Sequence, residues 1–275
     1  MKYLKHIFVL LLLVNLNLVQ AANADFPGRK KFSDVKVYSL AQLKNNLNKV
    51  VVVDARSKLE FETLRIKGAI NIPLASKTFK QQLKALRKKT LKPIVFYCNG
   101  ITCFKSYLAA RKARFAGVKN VFAYDEGLFA WTKKYPDMAA LMGKSPVNLN
   151  KIISKTAFNK RCLEPTTFAN LAFKTGKKAM IIDVRDKYQR GAAGFFPGQE
   201  LWASLDEKEK IDRIIKQAAR DKQTLFIYDE VGKQVRWLQY ALEKHSVKNY
   251  YFMKKGAKAY FNEMMQDFRS TGTSL

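Results

Sequence analysis

The chain has 275 residues, of which 48% are hydrophobic and 27% charged, and its 51 Lys and Arg against 22 Asp and Glu give a net charge of +29. Two histidines and three cysteines exclude a histidine-rich metal site and a disulfide-based scaffold, and we expect no metal and no cofactor. The basic residues are spread along the whole chain without an aromatic–basic RNA-binding module. The charge therefore predicts a basic surface that attracts small anions, and no nucleic-acid partner.

The N-terminal segment, residues 1–24, has the pattern of an export signal. Two lysines precede a mostly apolar run over 7–19, which is too short to span a bilayer comfortably. Ala22-Asn23-Ala24 fits a cleavage site, and residues 19–21 offer a second option. We expect a periplasmic or secreted mature protein with no stable membrane span.

Strands and helices are predicted to alternate after this segment. In chain order they are a strand over 35–38, a helix over 40–47, a strand over 50–54, a short helix over 61–64, a strand over 69–72, a helix over 79–88, a strand over 94–97, a helix over 106–116, a strand over 121–123 and a helix over 127–134. Such alternation predicts an α/β fold, with a mainly parallel sheet covered by helices on both faces. Ligands of these sheets bind at the carboxyl ends of the strands.

The chain also repeats itself. VVVDARSKLEF (51–61) is similar to MIIDVRDKYQR (180–190), and FYCNGITCFKS (96–106) corresponds to IYDEVGKQVRW (227–237). The repeat predicts two domains, 25–143 and 156–275, joined by a linker over 144–155 that contains a Ser-Pro pair. Asp229 stands where the first copy has Cys98, so we expect the second domain to lack the chemistry of the first and to offer a surface for a protein partner.

The most informative segment is the cysteine loop, residues 98–106, which follows the predicted strand over 94–97. A strand that runs into Cys98 and then into a helix places the thiol over a helix N-terminus. Backbone N–H groups and the helix macrodipole favour negative charge there. Cys98 is therefore predicted to have a lowered pKa and to act as the nucleophile.

The remaining loop residues are candidates for substrate binding. Gly100 would let the backbone curl around the sulfur, and Lys105 would stabilise an anion. The hydroxyls of Thr102 and Ser106 would contact a substrate or, equally, cap the helix. Cys103 would form a disulfide with Cys98, resolve an intermediate or simply pack. The full set is Asn99, Gly100, Ile101, Thr102, Cys103, Lys105 and Ser106.

Three segments carry a family resemblance, namely VVVDARSKLEFETLRIKGAINIPL (51–74), FYCNGITCFKSYLAA (96–110) and VKNVFAYDEGLFAW (118–131). The chain resembles tandem rhodanese-type proteins. The resemblance implies two rhodanese-like domains and sulfur transfer from a small anionic, thiosulfate-type donor to a thiol or cyanide acceptor through a persulfide on Cys98. It also implies structural support from Asp54 and Arg56, and we expect Glu60 to belong to the same network.

The sequence departs from the family at one point and leaves alternatives open. Lys105 lies seven positions after Cys98, whereas the family usually places its basic residue five positions after the cysteine. A thiol–disulfide protein that uses Cys98 and Cys103 is a second hypothesis, and a non-catalytic binding module is a third. A phosphatase is the least supported, because the loop lacks an arginine.

Overall fold

The structure is a computed structural model that describes residues 26–191 and 194–272. The export signal expected over 1–24 lies outside these residues. Strands within the described residues are β1 (Val37–Tyr38), β2 (Val51–Asp54), β3 (Leu64–Ile66), β4 (Ile70–Asn71), β5 (Ile94–Tyr97), β6 (Val121–Tyr124), β7 (Ala139–Leu141), β8 (Cys162–Leu163), β9 (Ala179–Asp183), β10 (Glu200–Trp202), β11 (Thr224–Tyr228) and β12 (Tyr250–Met253).

Helices connect most of these strands. They are α1 (Pro27–Lys31), α2 (Leu40–Asn45), α3 (Lys58–Thr63), α4 (Phe79–Lys89), α5 (Lys105–Phe115), α6 (Gly127–Lys134), α7 (Lys155–Asn159), α8 (Pro165–Thr175), α9 (Lys187–Arg190), α10 (Lys208–Arg220), α11 (Leu238–Lys244) and α12 (Gly256–Gly272). Short 3-10 turns lie at Pro136–Met138, Leu149–Lys151, Gly176–Lys178 and Val235–Trp237.

The strands of the described residues form two five-stranded parallel sheets and one antiparallel pair, β3 with β7. The first sheet has the order β1-β6-β5-β2-β4, and the second, taken from β8, has the order β8-β12-β11-β9-β10. The two orders are equivalent, as expected from the internal repeat. The predicted fold class, α/β with mainly parallel sheets flanked by helices, is confirmed.

The local sequence explains the elements around the cysteine loop. All four residues of β5 are buried, which is the apolar run typical of a central parallel strand. Ser57 begins α3 with a capping box, because its hydroxyl accepts from the N–H of Glu60 while the Glu60 carboxylate accepts from the N–H of Ser57. This cap starts α3 three residues before the predicted helix over 61–64, and Leu64 already belongs to β3.

The two halves share one buried core. A single apolar cluster joins Leu128 and Trp131 of the first half to Leu205 and Trp237 of the second. The predicted linker over 144–155 contributes to it, since Val147 and Ile153 are both buried. Separate clusters fill the outer faces of the two sheets. The positions predicted for the domain boundaries stay predictions.

None of the helices in the described part of the chain has both the length and the apolar character that crossing a membrane requires.

Candidate active site

The cysteine loop lies at the carboxyl end of β5, the middle strand of the first sheet. Tyr97, the last residue of β5, pairs with Asp54 of β2, so the loop after β5 and the turn after β2 emerge side by side. Helix α5 begins at Lys105, one residue before the predicted start. This strand–loop–helix arrangement is the predicted one.

Cys98 lies deep beneath the loop. Its side chain is fully buried, and its thiol donates a hydrogen bond to the Cys103 carbonyl oxygen at 2.9 Å. Burial raises the pKa of Cys98 well above its ordinary range, and its contacts with Cys103 raise it further, although the N–H and hydroxyl of Ser106 act in the opposite direction. The lowered pKa expected from the helix N-terminus is therefore not found, because burial outweighs it.

Cys103 has the opposite electrostatic character. A hydrogen bond from Cys98 lowers the pKa of Cys103 to about 7, with further lowering by the charge of Lys105 and by the N–H groups of Lys105 and Asn99. Cys103 is also partly exposed to solvent. The sequence did not reveal which cysteine has the lowered pKa, because both thiols precede the same helix and only packing decides which one is buried.

Lys105 is the cation of the loop. Burial lowers its pKa, but the charges of Glu60, Cys103, Asp186 and Cys98 outweigh burial, and the net shift is upward. The pKa of Glu60 is lowered in turn, since Lys105 and Arg56 outweigh the effect of burial. Lys105 therefore stays protonated beside the two thiols, with a carboxylate of each half of the chain acting on it.

Asp54, Arg56 and Glu60 form the supporting network that the sequence predicted. The fully buried guanidinium of Arg56 pairs with Asp54 at 2.6 Å and donates to the carbonyl oxygen of Leu64 at 2.6 Å. Its third contact is with the cysteine loop, where Arg56 Nη1 donates to the Asn99 side-chain oxygen at 2.8 Å. The Asn99 side-chain nitrogen donates to Glu60 at 3.0 Å. The side chain of Asn99, expected to bind substrate, therefore holds the loop in place.

The other predicted binding residues divide into an outer and an inner group. Ile101 and Thr102 are exposed at the tip of the loop. Ser106 is buried, and its hydroxyl lies 3.7 Å from the sulfur of Cys98. Ser106 thus faces a thiol and not the solvent.

A glycine that the sequence reasoning missed sets the path of the loop. Gly127 has a φ of +75°, and a Cβ there would lie 2.4 Å from the backbone of Gly100. A Cβ on Gly100 itself would make only an ordinary contact, 3.5 Å from the Glu126 carbonyl oxygen. Glycine was expected at position 100 to let the backbone curl around the sulfur, but a Cβ there would not come near the sulfur of Cys98. The position that requires glycine is 127, where the backbone passes close to Gly100.

A groove of about 670 Å³ leads along α5 to Lys105. Leu108 and Phe115 of α5 line one side, and Tyr188 of the second half lines the other. The groove is mainly apolar, with Arg111 and Lys112 on its wall. It ends at Lys105 and is lined by neither loop cysteine.

The loop after β11 occupies the matching place in the second sheet. The Asp229 carboxylate accepts hydrogen bonds from the N–H groups of Val231 and Val235, both at 2.8 Å, and also from those of Gly232 and Gln234. These four donors form an anion cradle that the protein fills with its own carboxylate. The second loop thus holds no free cradle of the kind that the binding-module hypothesis requires of both copies.

Among the described residues, no cluster of His, Cys, Asp and Glu side chains has the composition and geometry to hold a metal ion.

Part of the first half matches a known protein family. Residues 39–134 match the family model described as "Rhodanese-like domain". The chain therefore contains one rhodanese-like domain, which runs from the start of α2 to the end of α6 and includes the cysteine loop. That the second half is also rhodanese-like stays a prediction.

One curated protein and several solved structures are similar to the chain. A segment of 82 residues is 38% identical to an HTH-type transcriptional regulator of Mycobacterium tuberculosis, covering 30% of this chain and 34% of that protein. The chain thus spans about a third of the length of this relative.

Two of the solved structures illustrate the range of coverage. A thiosulfate sulfurtransferase of Pseudomonas aeruginosa has 16% identity over 84% of this chain and 43% of its own, with a TM-score of 0.37. The BH2092 protein of Bacillus halodurans has 24% identity over 44% of this chain and 88% of its own, also with a TM-score of 0.37.

Proposed function

We propose that the protein is an exported sulfurtransferase that moves sulfane sulfur from a thiosulfate-type anion to a thiol or cyanide acceptor. The sulfur would travel as a persulfide on the cysteine loop, for which the sequence names Cys98. The observation that supports this function best is a pair of thiols in the loop after the central strand, one of them partly exposed with its pKa lowered to about 7, beside a half-buried, protonated lysine.

The chemistry requires an anionic nucleophile and produces an anionic intermediate. A thiolate attacks the outer sulfur of the donor, sulfite leaves with the bonding electron pair, and the persulfide keeps one negative charge. Lys105 and the N–H groups at the start of α5 would stabilise both anions. The net charge of +29 would attract a small dianionic donor to the protein from solution.

The second half would support the first without sharing its chemistry. A carboxylate cannot carry sulfane sulfur, and Asp229 uses its oxygens to accept four backbone hydrogen bonds. Asp186 and Gln234 of this half act on the site, the first through the charge that it directs at Lys105 and the second through a hydrogen bond to Glu60 at 3.3 Å. A partner protein would have the remaining surface of the second half available.

Thiol–disulfide exchange is a second candidate function. The observation that favours it is the placement of two free thiols in one loop, with the Cys98 thiol hydrogen-bonded to the main chain of Cys103, because disulfide exchange requires a second thiol near the first.

Intact-mass analysis of the reduced protein after incubation with thiosulfate tests the proposed function. We expect the protein to gain one sulfur atom per chain, or to release the equivalent sulfur as sulfide, with one sulfite formed. Cys162→Ser removes a thiol outside the loop and should behave as wild type. The double substitution Cys98→Ser/Cys103→Ser should abolish sulfite formation. If the double variant forms sulfite at the wild-type rate, or wild type forms none, the proposed function is wrong.

A further inference from the structure

We infer that the two loop cysteines divide the reaction, with Cys103 taking the sulfur from the donor and Cys98 expelling it as hydrosulfide by closing a disulfide. The inference deepens the proposed function, on which it rests, and assigns each thiol a separate step. It also names the product of the second step, hydrosulfide, and places the thiol acceptor after that step, as the dithiol that reduces the disulfide.

Access from solvent decides which thiol meets the donor. Cys98 is fully buried, whereas Cys103 is partly exposed. The Cys98 sulfur lies 2.9 Å from the main-chain carbonyl oxygen of Cys103, so Cys103 covers it on the side of the loop. A donor that enters from solvent therefore reaches the Cys103 sulfur first.

The charges around the two thiols point the same way. Lys105 and the N–H groups of Lys105 and Asn99 stabilise a thiolate at Cys103. The Cys98 thiol donates its hydrogen bond to the main-chain carbonyl oxygen of Cys103 at 2.9 Å. Two coupled thiols lose their protons in sequence, and the first proton leaves the site where the negative charge is best stabilised. At neutral pH the pair thus ionises first at Cys103, while Cys98 stays protonated.

The first step transfers sulfur. The Cys103 thiolate attacks the outer sulfur of thiosulfate, a new S–S bond forms, and the S–S bond of thiosulfate breaks with its electron pair leaving on sulfite. The product is a Cys103 persulfide anion. Lys105 neutralises charge throughout, because the thiolate, the donor and the persulfide are all anions.

The second step releases the sulfur. Cys98 gives up its proton, and its thiolate attacks the Cys103 sulfur. The S–S bond between the Cys103 sulfur and the terminal sulfur of the persulfide then breaks. The terminal sulfur takes the bonding electron pair and the proton from Cys98 and leaves as hydrosulfide. The two cysteines are oxidised to a disulfide while the transferred sulfur is reduced, so no external oxidant or reductant is needed for one turnover. A small dithiol would reduce the disulfide before the next turnover.

Ser106 is placed to assist this second step. Its hydroxyl lies 3.7 Å from the Cys98 sulfur, and both its hydroxyl and its N–H lower the pKa of Cys98 against the opposing effect of burial. These donors would stabilise the charge that develops on Cys98 as its proton leaves.

Single-turnover analysis of the reduced full chain with thiosulfate tests this division. Wild type should release one sulfite and one sulfide per chain and then lose the mass of two hydrogen atoms. Cys98→Ser keeps a hydrogen-bond donor beside Cys103, so it should release sulfite at the wild-type level, retain one sulfur atom on Cys103 and lose sulfide release. Cys103→Ser should lose both products, and Cys162→Ser should match wild type.

The outcomes separate this inference from the proposed function. If wild type forms sulfite but holds the sulfur stably on Cys98 and releases no sulfide, the division of roles is overturned while the sulfurtransferase function stands. If no protein forms sulfite, both fall. A measurement that does not depend on variants is the order of alkylation in wild type, where Cys103 should react first. Faster alkylation of Cys98 would overturn the inference even if the Cys98→Ser variant failed to fold.

Discussion

The two loop thiols show how burial decides the chemical character of identical side chains. Cys98 and Cys103 are separated by only four residues, yet the pKa of the first is raised and that of the second is lowered to about 7. The difference arises because burial dominates at Cys98, whereas at Cys103 the hydrogen bond from Cys98 and the charge of Lys105 outweigh it. A substitution of Lys105 should therefore change the pKa of Cys103.

Replacing Lys105 by Gln is expected to raise the pKa of Cys103 by about one unit, so that the thiolate fraction at pH 7 falls from about one half to about one tenth. Alkylation of Cys103 should rise with pH in both proteins, because the thiolate is the reactive form, and its midpoint should move from near pH 7 toward pH 8 in the variant. Mass-spectrometric alkylation rates across this pH range provide the measurement.

Lys84→Gln, an exposed position on α4, is the matched control and should leave the midpoint unchanged. Lys105→Arg keeps the charge and should stay close to wild type. A midpoint that does not move in Lys105→Gln would mean that the charge of Lys105 does not control the ionisation of Cys103.

In each of the two sheets, the loop after the central strand directs backbone N–H groups at an acidic side chain. The cysteine loop follows β5 and directs N–H groups at thiols, whereas the loop after β11 directs four N–H groups at the Asp229 carboxylate. In both cases a strand ends and a helical segment begins within a few residues, which leaves backbone donors without partners inside the helix. The side chain at the end of the strand decides what those donors hold.

Removing the carboxylate of Asp229 should turn the second loop into a binding site for an external anion. Asp229→Ala leaves four N–H groups without their acceptor, at least one of them buried, so we expect a loss of about 2–4 kcal/mol in the free energy of unfolding. Sulfate should restore part of this loss by occupying the cradle. Thermal unfolding with and without sulfate at constant ionic strength measures the effect.

Asp221→Ala, on an exposed turn after α10, is the control for the loss of one negative charge and should show no specific response to sulfate. If wild type, Asp221→Ala and Asp229→Ala respond equally to sulfate, the four N–H groups do not form a binding site for an external anion.

The two halves are joined through the residues that hold the active loop. Arg56 donates to Asn99 of the cysteine loop and lies 5.1 Å from the ring centre of Trp237 in the second half. Trp237 also stacks on Phe129 at 5.4 Å and is buried. Hydrogen bonds cross the same boundary, from the N–H of Lys58 to Asp206 at 2.9 Å and from Gln234 to Glu60 at 3.3 Å. The geometry of the site thus depends on both halves.

Trp237→Ala is expected to lower the free energy of unfolding by about 3–5 kcal/mol, since it leaves a large cavity between the halves. Sulfite formation from thiosulfate should also fall, because Arg56 loses the ring that confines it and Asn99 is held less firmly. Equilibrium unfolding in urea measures the stability. Phe115→Ala, at an exposed aromatic residue, should change the stability little. A Trp237→Ala protein as stable as wild type would mean that the shared core contributes little.

The sequence predicted the fold class and the position of the cysteine loop, because both follow from local patterns. Apolar runs such as 94–97 mark parallel strands, and the strand–cysteine–helix order marks the edge where ligands bind. The antiparallel pair of β3 and β7 was missed, since β3 is only three residues long and directly follows α3. The opposite character of the two thiols was missed because burial at Cys98 depends on contacts distant in the sequence. The close contact between Gly100 and Gly127 was also missed, because the two residues are distant in the sequence.

Trp237 has a consequence for how the chain can be shortened during evolution. Deletion of the second half would strip the indole from Arg56 and expose Phe129, Leu128 and Trp131 to water. Drift in the sequence of the second half is therefore constrained at the surface that it presents to the first half, whatever chemistry either half performs.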